Sequence, residues 1–336
     1  MPTGQAGKHM PRGPLNRRDF ISCLGGAAAW PLAARAQQAG KIVTIGILAF
    51  EALPPIDTFR QALSDLGYVE GKNVRFEHRY ARGRNERFPE LANDLIGLKV
   101  DVILTWGTEA VIAAKQATTT IPIVMGAVGD AIDSGVVSSL SHPAANVTGL
   151  SSLAGELEAK RLELLKELVP GLSRVAILIN PTNRYTALAL PSARGGAEKL
   201  RASLIVHEVR DTSTLDATLV RLTRDRPDAL LVLADTFLLS QRSRIAQFAL
   251  ENKLPSAYTF REHVEAGGLI AYTTNYHDLF RRAAGYVDKI LKGTKPGDLP
   301  IEQPTKFDLV INLKTAKALG LAVPLIMQMT ANEVIE

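Results

Sequence analysis

Short aliphatic and β-branched runs, each followed by a longer amphipathic stretch, occur in the same order twice along this chain, and that pattern leaves few folds open. Residues 41–48 read as a buried strand, 57–66 as a helix that Gly67 stops, and 73–78 as an alternating strand. A helix over 87–98 leads into the apolar run 100–104, and a helix over 109–117 leads into 121–125. Strands that are apolar throughout belong to parallel sheets with helices on both faces, because neither face meets water. In the second half, 174–179 answers the first strand, 228–233 answers 101–104, and 254–258 answers 121–125. Ile45 precedes Asp101 by 56 residues and Ile177 precedes Asp228 by 51, the near-equal spacing of a duplicated unit.

Three stretches break the alternation where a chain would pass between two such units. They are 146–150, 267–272, and the region that runs from a helix over 279–291 through a Pro-rich segment at 296–304 to a strand at 307–311. The expected architecture is therefore α/β, with two doubly wound, Rossmann-like lobes joined by three crossover segments. Residues 42–148 and 274–301 are assigned to an N-terminal lobe, and 149–273 and 302–336 to a C-terminal lobe. Open sheets of this kind bind ligands beyond the carboxyl ends of their strands, and two of them face those ends toward each other.

The first 36 residues have a different character. Asn16-Arg17-Arg18-Asp19-Phe20-Ile21 has the twin-arginine export pattern, a short apolar run follows, and Ala34-Arg35-Ala36 offers a small-x-small site for cleavage before Gln37. The run is too short for a membrane anchor, which needs roughly 20 apolar residues. This segment carries net charge +4 of the chain's +5, so the remaining 300 residues are close to neutral. A global basic field for nucleic acid is thereby excluded. Cys23, the only cysteine, leaves with the leader; the residues before it make a poor lipobox. A soluble, disulfide-free protein of the periplasm is expected.

Several strings of residues are distinctive in combination. They include Phe59-Arg60-Gln61-Ala62-Leu63, Leu66-Gly67-Tyr68-Val69-Glu70-Gly71-Lys72-Asn73 and Thr118-Thr119-Thr120-Ile121-Pro122-Ile123-Val124. Asn146-Val147-Thr148-Gly149-Leu150, Lys160-Arg161-Leu162-Glu163-Leu164-Leu165 and Gln303-Pro304-Thr305-Lys306-Phe307-Asp308-Leu309-Val310 complete the set. Together they make the chain resemble the ABC transporter substrate-binding protein family that includes tryptophan- and tyrosine-binding lipoproteins. The resemblance extends from Ile42 to Glu336. It implies the periplasmic binding protein type 1 fold, a small amino acid-like ligand, no cofactor, and a membrane permease as partner to a monomer. Gram-positive members are lipid-anchored, whereas this leader reads as cleavable.

Motifs for catalysis are missing: there is no Gly-x-Ser-x-Gly elbow, phosphate loop or dinucleotide fingerprint. His78, His142, His207, His263 and His277 are scattered without the spacing of a zinc site. Candidate ligand contacts follow the strand ends. Trp106 can stack on a ring, and Gly107 and Thr108 open a helix whose free N–H groups can hold a carboxylate, although Thr108 can equally be a plain cap. Asp130 can accept from a ligand ammonium or cap a helix starting near Ile132. In the second half Asn180 sits at the facing strand end with Arg184 as a carboxylate clamp. The resemblance makes Asp235, followed by Phe237, the ammonium partner. Phe50, Tyr258 and Tyr272 supply aromatic walls. Asp235 and Trp106 are expected in a solvent-accessible cleft, where substitution would weaken binding without unfolding the protein.

The function expected is capture of a small solute between two lobes and delivery to a permease. A ligand sensor for a membrane receptor is the alternative, and an exported hydrolase or racemase using Asp130 and Asp235 a more distant one.

Overall fold

The computed structural model describes residues 42–143, 145–152 and 157–336. The export leader, Cys23 and the expected cleavage before Gln37 lie outside the described residues.

The first sheet is fully parallel. Strand β1 (Val43–Ala49) leads through α1 (Pro54–Asp65) to β2 (Val74–Tyr80). A 3-10 turn (Asn85–Arg87) and α2 (Phe88–Gly97) lead to β3 (Val102–Trp106), then α3 (Thr108–Ala117), β4 (Ile123–Val128) and β5 (Val147–Ser151). The strand order is β2-β1-β3-β4-β5. In the second half come α4 (Leu157–Leu168), β6 (Arg174–Ile179), α5 (Arg184–Lys199), β7 (Ser203–Glu208), α6 (Thr212–Asp225) and β8 (Ala229–Val232). Next are α7 (Thr236–Ser240), α8 (Arg242–Glu251), β9 (Ser256–Tyr258), α9 (Arg261–Glu265) and β10 (Ile270–Thr274). These strands order as β7-β6-β8-β9-β10, the same permutation as in the first sheet. The repeat seen in the sequence is thus a repeat of topology.

After β10 the chain forms α10 (Tyr276–Leu291), which packs on α1, β4 and β5 of the first lobe. It then returns to add β11 (Phe307–Asn312) antiparallel to β10, followed by α11 (Leu313–Ala318), α12 (Leu325–Thr330) and β12 (Glu333–Ile335). The three passages between lobes run side by side. Ser151 N donates to Glu302 O at 2.9 Å, and Glu302 N donates to Gly149 O at 3.0 Å. Thr274 Oγ1 donates to Ser152 O at 2.9 Å.

Two crossing stretches proposed from the sequence prove to be strands inside the sheets. Residues 147–151 are the fifth strand of the first sheet, and 270–274 the fifth of the second core, with the passage beginning at their ends. The reason is periodicity: a strand covered on both faces reads like its neighbours wherever it stands in the sheet, so nothing in its composition marks it as the one after which the chain leaves the lobe.

Burial on both faces explains the continuous apolar runs. In the second sheet Val175, Ile177 and Ile179 point into one core, while Ala176 and Leu178 point into the other. Leu231 and Leu233 divide from Leu230 and Val232 in the same way. The two repeats also share an anchor at the opposite end of the sheet. Asp101 Oδ2 accepts from Thr44 N at 2.8 Å, and Asp228 Oδ2 accepts from Ser173 N and Arg174 N, each at 2.8 Å. Each aspartate immediately precedes the third strand of its lobe and ties it to the start of the first.

Candidate functional site

In both lobes the strand order reverses between the first and third strands, so the loops leaving their carboxyl ends diverge and open a crevice. The two crevices face each other across a cleft that holds about 580 Å³ of empty space, part of it open to solvent. Its lining follows the strand ends one after another. Phe50 follows β1, Asn85 and Phe88 come after β2, and Trp106 to Glu109 lie at the junction of β3 and α3. Ala127 to Gly129 end β4, and Ser152 follows β5. From the second lobe come Asn183 and Tyr185 after β6, Ala234 to Thr236 after β8, Phe260 after β9, and Tyr276 after β10.

Gly107 is where β3 turns into α3. Its φ of 98° lies in the region open to glycine, so the chain can reverse sharply beside Trp106 where α3 begins. Gly107, not Thr108, is the cap; the Thr108 hydroxyl accepts from Gly129 N at 3.3 Å, joining two strand ends. At Gly129 a Cβ would stand 3.0 Å from Tyr185 Cδ2, so the first lobe's floor and the second lobe's tyrosine meet in close contact.

Trp106 is 3 % exposed and packs within its own lobe. Its ring centroid lies 4.7 Å from Phe280, 5.1 Å from Phe50 and 5.4 Å from Tyr276. Asp235 is equally buried and caps α7. Leu238 N donates to its Oδ1 at 3.0 Å, while Asn180 Nδ2 and Asn183 Nδ2 donate to Oδ2 at 3.1 and 3.0 Å. Burial pushes its pKa up against the pull of these donors. Both line the cleft as expected, but the expectation that they are solvent-accessible there and free of structural roles is corrected: one is packed in an aromatic cluster and the other is a helix cap with three donors.

Of the remaining residues chosen from sequence, Phe50, Gly107 and Thr108 line the cleft beside these two. Asn180 lies behind it as support for Asp235. Asp130 stays outside the lining and accepts from Ile132 N and Asp133 N, each at 2.9 Å, to close a turn rather than a helix. Asp130 and Asp235 therefore do not share the cleft that a two-acid enzyme would need. Arg184, with 59 % of its side chain exposed, faces Glu109 at 3.9 Å. Phe237 packs in the outer core of the second lobe. Tyr258 stacks on His263 at 4.6 Å, and Tyr272 on Phe307 at 6.1 Å, both away from the lining. Sequence reading missed Asn85, Phe88, Glu109, Asn183, Tyr185, Phe260 and Tyr276.

Contacts between lobes close the rim. Thr236 Oγ1 donates to Asn85 Oδ1 at 2.7 Å, and Arg242 Nη1 donates to Glu51 Oε2 at 3.1 Å. Behind Tyr185 lies a fully buried ion pair, Glu158–Arg161, with Nη1 and Oε1 2.6 Å apart. Tyr185 donates its hydroxyl to Glu158 Oε1 at 3.2 Å, and Arg161 Nε donates to Tyr272 O at 2.8 Å. Among the described residues no group of three or more metal-ligating side chains is present.

Glu262, two residues after Phe260, is buried with its Oε2 lacking a hydrogen-bond partner, and burial raises its pKa from the ordinary 4.5 to about 7. Folding therefore favours its protonated form. That share of stability is full below pH 4.5 and is lost as pH rises through 7. Relative to the parent, Glu262→Gln is expected to gain about 3 kcal/mol between pH 4.5 and pH 8. Urea midpoints at the two pH values measure this, and a difference that does not change with pH would show that the carboxyl titrates normally.

A family model described as ABC transporter substrate binding protein matches residues 45–335. The chain belongs to that family. The substrate-binding protein is 28% identical over 281 residues to a tyrosine-binding protein of Clostridioides difficile (strain R20291), covering 82% of this chain and 81% of the relative. Its structure matches an ABC domain from Streptococcus pneumonia in complex with L-Trp, with TM-score 0.81, 25% identity, and coverage of 88% and 100% of the two chains. A ligand-free, open substrate-binding protein from Clostridium difficile matches with TM-score 0.64, 26% identity, and coverage of 88% and 99%.

Proposed function

We propose that this substrate-binding protein captures an aromatic amino acid in the cleft between its lobes and presents it to the permease of an ABC transporter. The observation that carries the reading is the composition of the cleft. Six of the chain's nineteen aromatic residues line it: Phe50, Phe88, Trp106, Tyr185, Phe260 and Tyr276. The charged lining residues among those described are Glu109 and Asp235, both acidic. Rings facing one another select a flat apolar group, and acidic charge selects an ammonium. The tryptophan and tyrosine named for two relatives fit that chemistry.

The lobe arrangement supports capture by closure. At nearly equal identity and coverage, the L-Trp-bound relative superposes better than the open one. The contacts Thr236–Asn85 and Arg242–Glu51 tie the rims as a closed form requires. Such a protein works outside the cytoplasmic membrane. No helix among the described residues is long and apolar enough to cross one. The twin-arginine pattern and the cleavage site before Gln37 supply the export route to the periplasm, and a monomer suffices for docking.

Calorimetry with L-tryptophan, L-tyrosine and L-leucine tests the reading. The aromatic pair is expected to bind at micromolar Kd or tighter, with a smaller radius of gyration by X-ray scattering when bound, and leucine at least about tenfold more weakly. Preference for leucine, or no binding of any of the three, would remove the aromatic amino acid as ligand.

A further inference from the structure

The cleft's two acidic groups differ in how much of their hydrogen-bonding capacity is taken. Asp235 accepts three hydrogen bonds from its own lobe and holds the first turn of α7 and Asn183 in place. An added ammonium would have to displace or crowd those donors. Glu109 stands differently. It lines the same cleft, its Oε1 is buried with no hydrogen-bond partner, and the cation paired with it is the exposed Arg184 at 3.9 Å. A carboxylate oxygen without a donor gains from an incoming N–H group, and the quarter of the Glu109 side chain that is exposed lets one approach the carboxylate. Glu109 also occupies the first turn of α3, where the helix dipole favours negative charge. It comes from the same strand-to-helix junction as Trp106, so one short segment carries both an aromatic wall and an unfilled acceptor.

We infer that Glu109 receives the ligand's ammonium group and sets the preference for amines, while Asp235 is a positioning residue that holds α7 and Asn183. The inference rests on the aromatic amino acid reading above and goes beyond it in naming the recognising group. It carries a selectivity rule. Among the described residues no Lys, Arg or His lines the cleft to face a carboxylate. Removing the ligand's carboxylate therefore costs less affinity than removing its amine.

The test is calorimetry of the parent and Glu109→Gln with L-tryptophan, tryptamine and indole-3-propionate. In the parent, indole-3-propionate is expected to bind roughly a hundredfold more weakly than L-tryptophan, and tryptamine roughly tenfold or less. Glu109→Gln is expected to weaken L-tryptophan by roughly thirtyfold or more. Its Tm without ligand should hold, because the pair with exposed Arg184 adds little stability. The penalty for lacking an amine should collapse in this variant, which a merely structural role for Glu109 would not produce. An L-tryptophan affinity within threefold of the parent overturns the inference and leaves the ligand class standing. Indole-3-propionate binding the parent as tightly as L-tryptophan overturns it as well, whether or not the variant folds. Failure of the parent to bind either L-tryptophan or tryptamine overturns the ligand class and the inference together.

Discussion

Trp106→Ala is expected to destabilise the folded protein by about 3–5 kcal/mol, a larger effect than any loss of ligand stacking. The side chain is 3 % exposed and belongs to the core of the first lobe, with Phe280, Phe50 and Tyr276 around it. Deleting an indole there removes its transfer free energy and leaves a cavity that Phe50 and the two α10 rings, Tyr276 and Phe280, cannot all move to fill. Trp106→Phe keeps an aromatic contact to Phe280 and is expected to cost about 1–2 kcal/mol. Denaturant melts of the two variants without ligand settle the point. If alanine costs under 1 kcal/mol, Trp106 is a free wall of the cleft and the aromatic cluster adds little to the fold. Ligand affinity is best read in the phenylalanine variant, where the lobe remains intact.

The repeated fold was legible because period and burial are local properties of a sequence. A strand covered on both faces must be apolar at every position, and the runs at 45–48, 102–104, 175–179 and 229–233 satisfy that without reference to neighbours. The aspartates at 101 and 228 stood out by position, and the structure explains them: each receives backbone N–H groups from the first strand of its lobe. Edge strand β7 escaped notice since its residues 203–206 remain partly or fully exposed, which dilutes the apolar signal. The points of passage between lobes depend on which strand happens to be last, and that is decided by tertiary pairing.

The cleft was legible in part for a related reason. Looking just past strand ends located Phe50, Trp106 and Asp235 in the lining. The same rule, applied to aromatic residues within strands, selected Tyr258 and Tyr272, whose side chains point to the sheet faces. Two residues beyond β9 and two beyond β10 stand Phe260 and Tyr276, which do line the cleft. Tyr185 lies farther along, inside α5, and its direction depends on the Asn183 cap and on its bond to Glu158. No pattern of neighbours in the sequence encodes that bond. The free or occupied state of a carboxylate is equally a tertiary property, which is why Asp235 could be singled out and Glu109 passed over.

Glu158→Ala is expected to cost about 3–5 kcal/mol, because it strands the Arg161 guanidinium as an unpaired buried cation. Neither side chain of the pair has any exposure, and Glu158 Oε2 and Arg161 Nη2 lack hydrogen-bond partners, so beyond one bond each to Tyr185 and Tyr272 O the charges rely on each other. Burial pushes the Glu158 carboxyl up while the adjacent guanidinium opposes it. Desolvating two charges offsets most of what their attraction contributes, so removing both should be far milder than removing one. Glu158→Leu combined with Arg161→Met is accordingly expected to lie within about 1–2 kcal/mol of the parent. The double variant still removes the acceptor of the Tyr185 hydroxyl, so that ring, which forms part of the cleft wall, loses its tether. L-tryptophan affinity is therefore expected to fall by roughly threefold to thirtyfold in the double variant even where stability returns. Urea melts of both single variants and the double variant, followed by calorimetry on the double, separate the two roles. Additive losses in stability would mean that the two charges do not depend on each other. Parental affinity in the double variant would mean that Tyr185 is held by its packing against Gly129 alone.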